Sequence, residues 1–169
     1  MNRPIPLFKR LVAPLLFGAT LILYLATLAP SIVPGDPGEY QFIPHILGIA
    51  HPPGYAFFTV LAKLWTTIVA VGSVAYRSNL LSAAAGAWTV LMVYQMVTLL
   101  GEGDQVQRTD VSLLVWTLPA LLAALALAVA TDLWQHSLHA NSHIVSTALS
   151  ATTLYAGLRW WATGRDRWL

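Results

Sequence analysis

"GYAFFTVLAKLWTTIVAV", residues 54–71, decides how this chain is organised. The stretch is apolar enough to cross the roughly 30 Å hydrocarbon core of a bilayer as a helix. Lys63 stands near its middle, which costs about 2.5–3.5 kcal/mol on insertion scales. If 54–71 crosses, the chain has five spans, and Arg159, Arg165 and Arg167 fall on the side opposite the basic N-terminus. If it lies along the outer surface there are four, and Arg3, Lys9, Arg10, Arg108, Arg159, Arg165 and Arg167 share one side. Seven of the nine basic residues then lie inside, as the positive-inside rule prefers. The reading adopted is four spans, with 54–71 as a surface helix.

The rest of the chain supports a membrane class. Of 169 residues, 57% are hydrophobic and only 9% charged, where an ordinary soluble domain carries roughly 25% charged residues. Net charge is +2, with no basic block interleaved with aromatics, so nucleic acid is not an expected partner. The absence of cysteine excludes disulfides and thiolate metal sites. Spans are expected at 11–29, 79–100, 111–131 and 143–162, with an outer loop at 30–78 carrying surface helices at about 37–49 and 54–71. The first apolar run is longer than the about 7–15 residues of a signal-peptide core and is followed by Pro-rich sequence, so it reads as a retained span. Trp160, Trp161 and Arg159 read as an interfacial belt. Both termini are expected on the cytoplasmic side of a plasma (inner) membrane, and the polar piece "GEGDQVQRTD", 101–110, with Glu102, Asp104 and Asp110, in a cytoplasmic loop.

The outer loop concentrates the ionisable groups. In "GDPGEYQFIPHILGIAHPPGY", residues 35–55, Asp36 can cap a helix, Pro37 suits its first turn, and Glu39 completes a capping-box spacing. The same carboxylates, aimed rigidly at the membrane–water boundary, suit general-base chemistry on an acceptor hydroxyl. The two readings are compatible. His51-Pro52-Pro53-Gly54 is a stiff, extended launch for the next helix.

Three elements in order, the D-P-G-E-Y loop at 36–40, "HPPGYA" at 51–56 and "RSNLLSA" at 77–83, resemble the protein O-mannosyltransferase-like family of GT-C membrane glycosyltransferases. The resemblance implies an all-α polytopic bundle with juxtamembrane helices in the first outer loop. It also implies transfer of a sugar, mannose being the expected one, from a polyprenyl-phosphate donor to a protein or glycan hydroxyl outside the membrane. Carried over by position, Asp36 is the catalytic base and Glu39 the second acid, with Tyr40, His51, Arg77 and Asn79 binding substrate. Arg77 would meet the donor phosphate or anchor the interface. A divalent metal is possible in this scheme, with Glu39 supporting the base or helping to bind the ion. Members of that family are several times longer, so the chain is expected to be an N-terminal portion.

The pattern departs after the third span, where Asn141 stands in place of an expected acid and His143 in place of an expected Tyr. Asn can be neither a base nor a charged metal ligand. Asp132, His136, His139 and His143 are spaced to share one helix face, which offers either metal ligands or a polar stripe. Trp65, Trp88, Trp116 and Trp134 offer either sugar stacking or packing. The rival to a transferase is a non-catalytic small membrane protein, metal-handling or a subunit of a larger complex.

Overall fold

The computed structural model describes residues 7–102 and 110–168, and side chains from Leu11 to Gly101 and from Trp116 to Trp168. Arg3, Asp104 and Arg108 lie outside the described residues, as do the side chains of Lys9 and Arg10, so the charge asymmetry is carried by sequence alone. Among the described residues every regular element is helical: α1 (Leu7–Ala26), α2 (Asp36–Ile46), α3 (Ala56–Ile68), α4 (Val74–Glu102), α5 (Asp110–Ala128), α6 (Thr131–Ser137), α7 (Ser142–Thr163), and a final 3-10 turn at Asp166–Trp168.

Helix α4 is the axis, with α1, α5 and α7 packed along it and α2, α3 and α6 against its first half. Small residues on α4 permit this crowding. Ala83 and Ala87 are fully buried, and Gly86 leaves room that a methyl group would take from Ser137 and the Tyr24 ring. Close approach through small residues is the usual solution where lipid supplies no hydrophobic drive between helices.

The stretch 54–71 forms only thirteen helical residues. At 1.5 Å per residue α3 is about 20 Å long, shorter than the roughly 30 Å hydrocarbon core of a bilayer. Lys63 Nζ donates to the His45 carbonyl at 2.6 Å, in the last turn of α2, where a cation complements exposed carbonyls. Lys63 is therefore a clasp between α2 and α3.

The four expected spans are met in part. Among the described residues, one helix, Val74–Gly101, is long and apolar enough to cross a membrane. Its 28 residues run about 42 Å, more than the hydrocarbon core requires. The expected third span at 111–131 is bent: Trp116–Ala128 and Thr131–Ser137 meet at 60° and pass the same test only as a pair. The described apolar part of α1, Leu11–Ala26, is shorter, and α7 has a Ser/Thr-rich first half.

One end of the bundle gathers the loop-borne chemistry. The Ala29 amide donates to the Leu138 carbonyl at 2.9 Å, the Trp134 indole N–H to Thr27 Oγ1 at 3.0 Å, and the Tyr24 hydroxyl to the Ala128 carbonyl at 2.9 Å. The last turn of α1, the first turns of α4 and α7, and all of α6 therefore meet under the 30–55 loop. The indole N–H groups of Trp65, Trp88 and Trp134 each bond within the protein, so those three rings serve packing.

Candidate functional site: a carboxylate–imidazole cluster at the start of α2

The loop turns into α2 through Gly35, whose φ of 78° and ψ of −153° lie in a region essentially reserved for glycine. Gly35 thereby takes the cap position. Asp36, expected as the N-cap, instead begins the helix, and no side chain caps α2. The capping-box reading of Glu39 is corrected with it, because its carboxylate turns away to His51. Oε1 accepts from the His51 amide at 2.7 Å and Oε2 sits 2.5 Å from His51 Nδ1. The imidazole raises the charged fraction of Glu39 through that hydrogen bond, holding its carboxyl below the usual range. The carboxylate in turn holds His51 above its ordinary value.

The pair has a defined pH window. His51, raised on folding, contributes stability that is present below its unfolded value and lost as pH rises through the folded one. Glu39, depressed on folding, contributes stability present above its unfolded value and lost as pH falls through the folded one. Together they hold the loop most firmly in mildly acidic solution. The imidazole resonance of His51 is expected to titrate above pH 6.5 and to fall toward that value in a Glu39→Gln protein; an unmoved midpoint would contradict the pairing.

Asp36 is exposed, and one ligand atom from each of Asp36, Glu39 and His51 lies within 4.8 Å of the others. Two carboxylates and an imidazole can orient a hydroxyl or hold a divalent cation. Gly38 makes the arrangement possible. A Cβ at that position would stand 2.5 Å from the Val33 carbonyl oxygen, a backbone atom that cannot swing aside. A Gly38→Ala protein is expected to lose about 1–3 kcal/mol by overpacking and to separate Asp36 from His51. Thermal unfolding together with the His51 titration would report both effects.

Behind the cluster runs an aromatic chain. Tyr40 is buried, with its ring centroid 5.9 Å from His51 and 5.3 Å from Tyr55; burial pushes its phenol up to about 12. Tyr55 touches His51 at 5.4 Å and His143 at 5.8 Å. The sequence-named Tyr40, His51, Asp36 and Glu39 are thus brought together, and Tyr55 and Ser142 join them unannounced by any motif.

Two other named residues stand apart from the rim. Arg77 donates to the carbonyls of Thr66, Val71 and Gly72, tying the α3–α4 turn and keeping two of its five N–H groups unused. Asn79 is fully buried. Its Oδ1 accepts from Gln41 Nε2 at 2.7 Å and the Ala140 amide at 2.8 Å, and its Nδ2 donates to the Ala29 carbonyl at 2.8 Å.

The expected single helix face of Asp132, His136, His139 and His143 does not form. Helix α6 ends at Ser137 and α7 starts at Ser142, because Asn141 caps α7, accepting from the amides of His143 at 2.8 Å and Ile144 at 3.4 Å. Asp132 and His136 remain together at 3.4 Å, and His139 lies near His136. His143 instead packs on Tyr55. As metal ligands the four are therefore not collected on one face.

Comparison with known proteins gives this geometry a setting. A family model described as "Protein O-mannosyl-transferase TMEM260 N-terminal domain" matches residues 36–169. A mouse protein named Protein O-mannosyl-transferase TMEM260 is 43% identical over 81 residues, covering 48% of this chain and 12% of the mouse protein. A Dictyostelium discoideum protein named Protein O-mannosyl-transferase tmem260 is 37% identical over 87 residues, covering 50% of this chain and 11% of that protein. The chain thus matches only about an eighth of the length of either relative. No solved structure matches. With its matched region running from Asp36 to Leu169, the chain belongs to the protein O-mannosyl-transferase TMEM260 N-terminal domain family.

Proposed function

We propose that the chain is the N-terminal, membrane-embedded part of a GT-C glycosyltransferase. It would transfer mannose from a polyprenyl-phosphate donor to a protein or glycan hydroxyl on the outer side. The observation that carries the reading is the Asp36–Glu39–His51 cluster at the start of α2, in a family whose relatives are named O-mannosyl-transferases. The gathering of the α1 end, the α4 and α7 starts and the outer helices at one end of the bundle supports the same reading. Four helices running alternately across a membrane, α1, α4, bent α5–α6 and α7, would hold the cluster at a single water boundary.

In the proposed step the Asp36 carboxylate takes the proton of the acceptor hydroxyl while that oxygen bonds to the anomeric carbon. The bond from that carbon to the donor phosphate oxygen breaks, and the phosphate leaves with the electron pair. A single displacement inverts the sugar. Glu39, ion-paired with His51, fixes the loop on which Asp36 rides. Arg77 fixes the outer turn, its two unused N–H groups remaining available to an anion. Asn79 fixes the floor beneath Tyr40 and Gln41.

A divalent cation fits the donor set, since carboxylate oxygens and imidazole nitrogen suit manganese or zinc. When bound it would supply positive charge to phosphate oxygens. The test of the reading is mannose transfer from a synthetic polyprenyl-phosphate mannose by the complete protein, unchanged or carrying Asp36→Asn. Transfer by the unchanged protein and its loss in the variant are expected; full transfer by the variant would remove Asp36 from the reaction.

A further inference from the structure

Helix α7 starts beneath the 30–55 loop and ends in a cluster of arginine and tryptophan. Its 22 residues run about 33 Å, close to one hydrocarbon thickness. The carboxylate–imidazole cluster and this second group therefore lie at opposite ends of the bundle. Arg159, Trp160 and Trp161 occupy the last turns of α7, and Arg165 and Arg167 follow it around the 3-10 turn at Asp166–Trp168.

The turn folds back on the helix through its rings. The guanidinium carbons of Arg159 and Arg167 lie 4.7 Å and 5.3 Å from the centre of the Trp168 ring, within cation–π range. The Tyr155 ring meets Trp168 edge-on at 6.3 Å. Stacking leaves the hydrogen-bond donors over. The buried Nε–H of Arg159 and indole N–H of Trp168 have no acceptor. Among the described residues the guanidinium groups of Arg165 and Arg167 make no hydrogen bond or ion pair, and Asp166 is paired with none of the three arginines.

Residues 159–168 thus carry three permanent positive charges against one carboxylate. Two of those cations are drawn to a single ring, where they repel each other, and no described group neutralises them. An anion at the turn removes that repulsion. The planar fork of arginine matches phosphate oxygens in particular.

Apolar surface beside the charges selects the source of the phosphate. Leu154 and Trp161 share one face of α7 and are 62% and 84% exposed. An exposed indole next to cations at a helix end is the arrangement found at the headgroup level of a bilayer. A soluble phosphate would have no use for either side chain.

We propose that the end of α7 and the 3-10 turn form a binding site for an anionic membrane lipid. Arg165 and Arg167 take the headgroup phosphate, Arg159 adds positive charge, and Trp161 and Leu154 meet the glycerol level and the first acyl carbons. A zwitterionic headgroup would bring its own ammonium to a place already rich in cations, so the site prefers a net negative lipid. The inference rests on α7 crossing the membrane and is independent of the transferase chemistry.

The test is native mass spectrometry of the full chain in detergent micelles, titrated with phosphatidylglycerol and, separately, with phosphatidylcholine. Phosphatidylglycerol is expected to bind about tenfold or more tightly, with the preference shrinking as salt is raised. Arg165→Gln should weaken its binding about fivefold, and the pair Arg165→Gln and Arg167→Gln about 25-fold, at roughly fivefold for each cation near the surface. Both residues are exposed and lie beyond α7, so the lipid-free variants should unfold at nearly the temperature of the unchanged protein. Equal binding of the two lipids by the unchanged protein, or a preference left intact in the double variant, would overturn the site. Displacement of phosphatidylglycerol by an equal concentration of glycerol phosphate would overturn the lipid assignment, because Leu154 and Trp161 would then contribute nothing. Selective binding in a complete protein that transfers no mannose would sink the transferase reading alone. Mannose transfer by a protein without lipid preference would sink this site alone.

Discussion

Asp36→Asn is expected to lower mannose transfer by roughly 10²–10⁴-fold, the range a positioned general base contributes, with donor binding nearly unchanged. The substitution keeps the size of the side chain and removes only its ability to take a proton. Asp36 is exposed at the first position of α2 and holds no described hydrogen bond that builds the fold, so the variant should unfold at the temperature of the unchanged protein. Glu39→Gln should behave differently. It breaks the contact with His51 and should lower activity together with the His51 titration midpoint. A protein whose activity falls equally in both variants, with His51 unmoved, would mean that the two acids share one role and that the loop-fixing assignment to Glu39 is wrong.

The second large effect is on the fold. Asn79→Leu preserves approximate volume and removes both polar atoms from a fully buried site. The Ala140 amide, the Ala29 carbonyl and the Gln41 amide then lose a partner at once. At about 1–3 kcal/mol for each buried group left unsatisfied, with Gln41 partly retained by the Ser31 carbonyl, a loss of about 3–5 kcal/mol is expected. The consequence should reach the candidate site, because Asn79 joins the end of α1, the body of α2 and the start of α7. Thermal unfolding in detergent micelles would measure the loss. A change below about 1 kcal/mol, the size of an ordinary single hydrogen bond, would show that the network is not continuous.

Much of this was legible from residue order because local chemistry governed it. The long apolar run became α4, and His51–Gly54 launches α3, though as a tight turn closed by the Gly54 amide on the His51 carbonyl at 2.8 Å rather than as extended chain. The thirteen-residue length of α3 and the bond from Lys63 to α2 explain why a cation sits in an apolar stretch. Other features depended on contacts that no spacing announces. Glu39 and His51 were each singled out, but their partnership needed Gly35 to take the cap position and free the acid. The histidine spacing suggested one face, and a single competing preference, Asn141 for a helix start, broke it into separate pieces. The hub at Asn79 joins groups 38 to 61 residues away.

In the proposed arrangement the Asp36 carboxylate faces water at the outer edge of the membrane. This chain has no cysteine, so Asp36→Cys introduces one addressable thiol. A membrane-impermeant maleimide applied to intact cells making this chain should label it, while a thiol introduced into the 103–109 connection should react only after permeabilisation. Labelling of position 36 solely after permeabilisation, or none under either condition, would contradict the account.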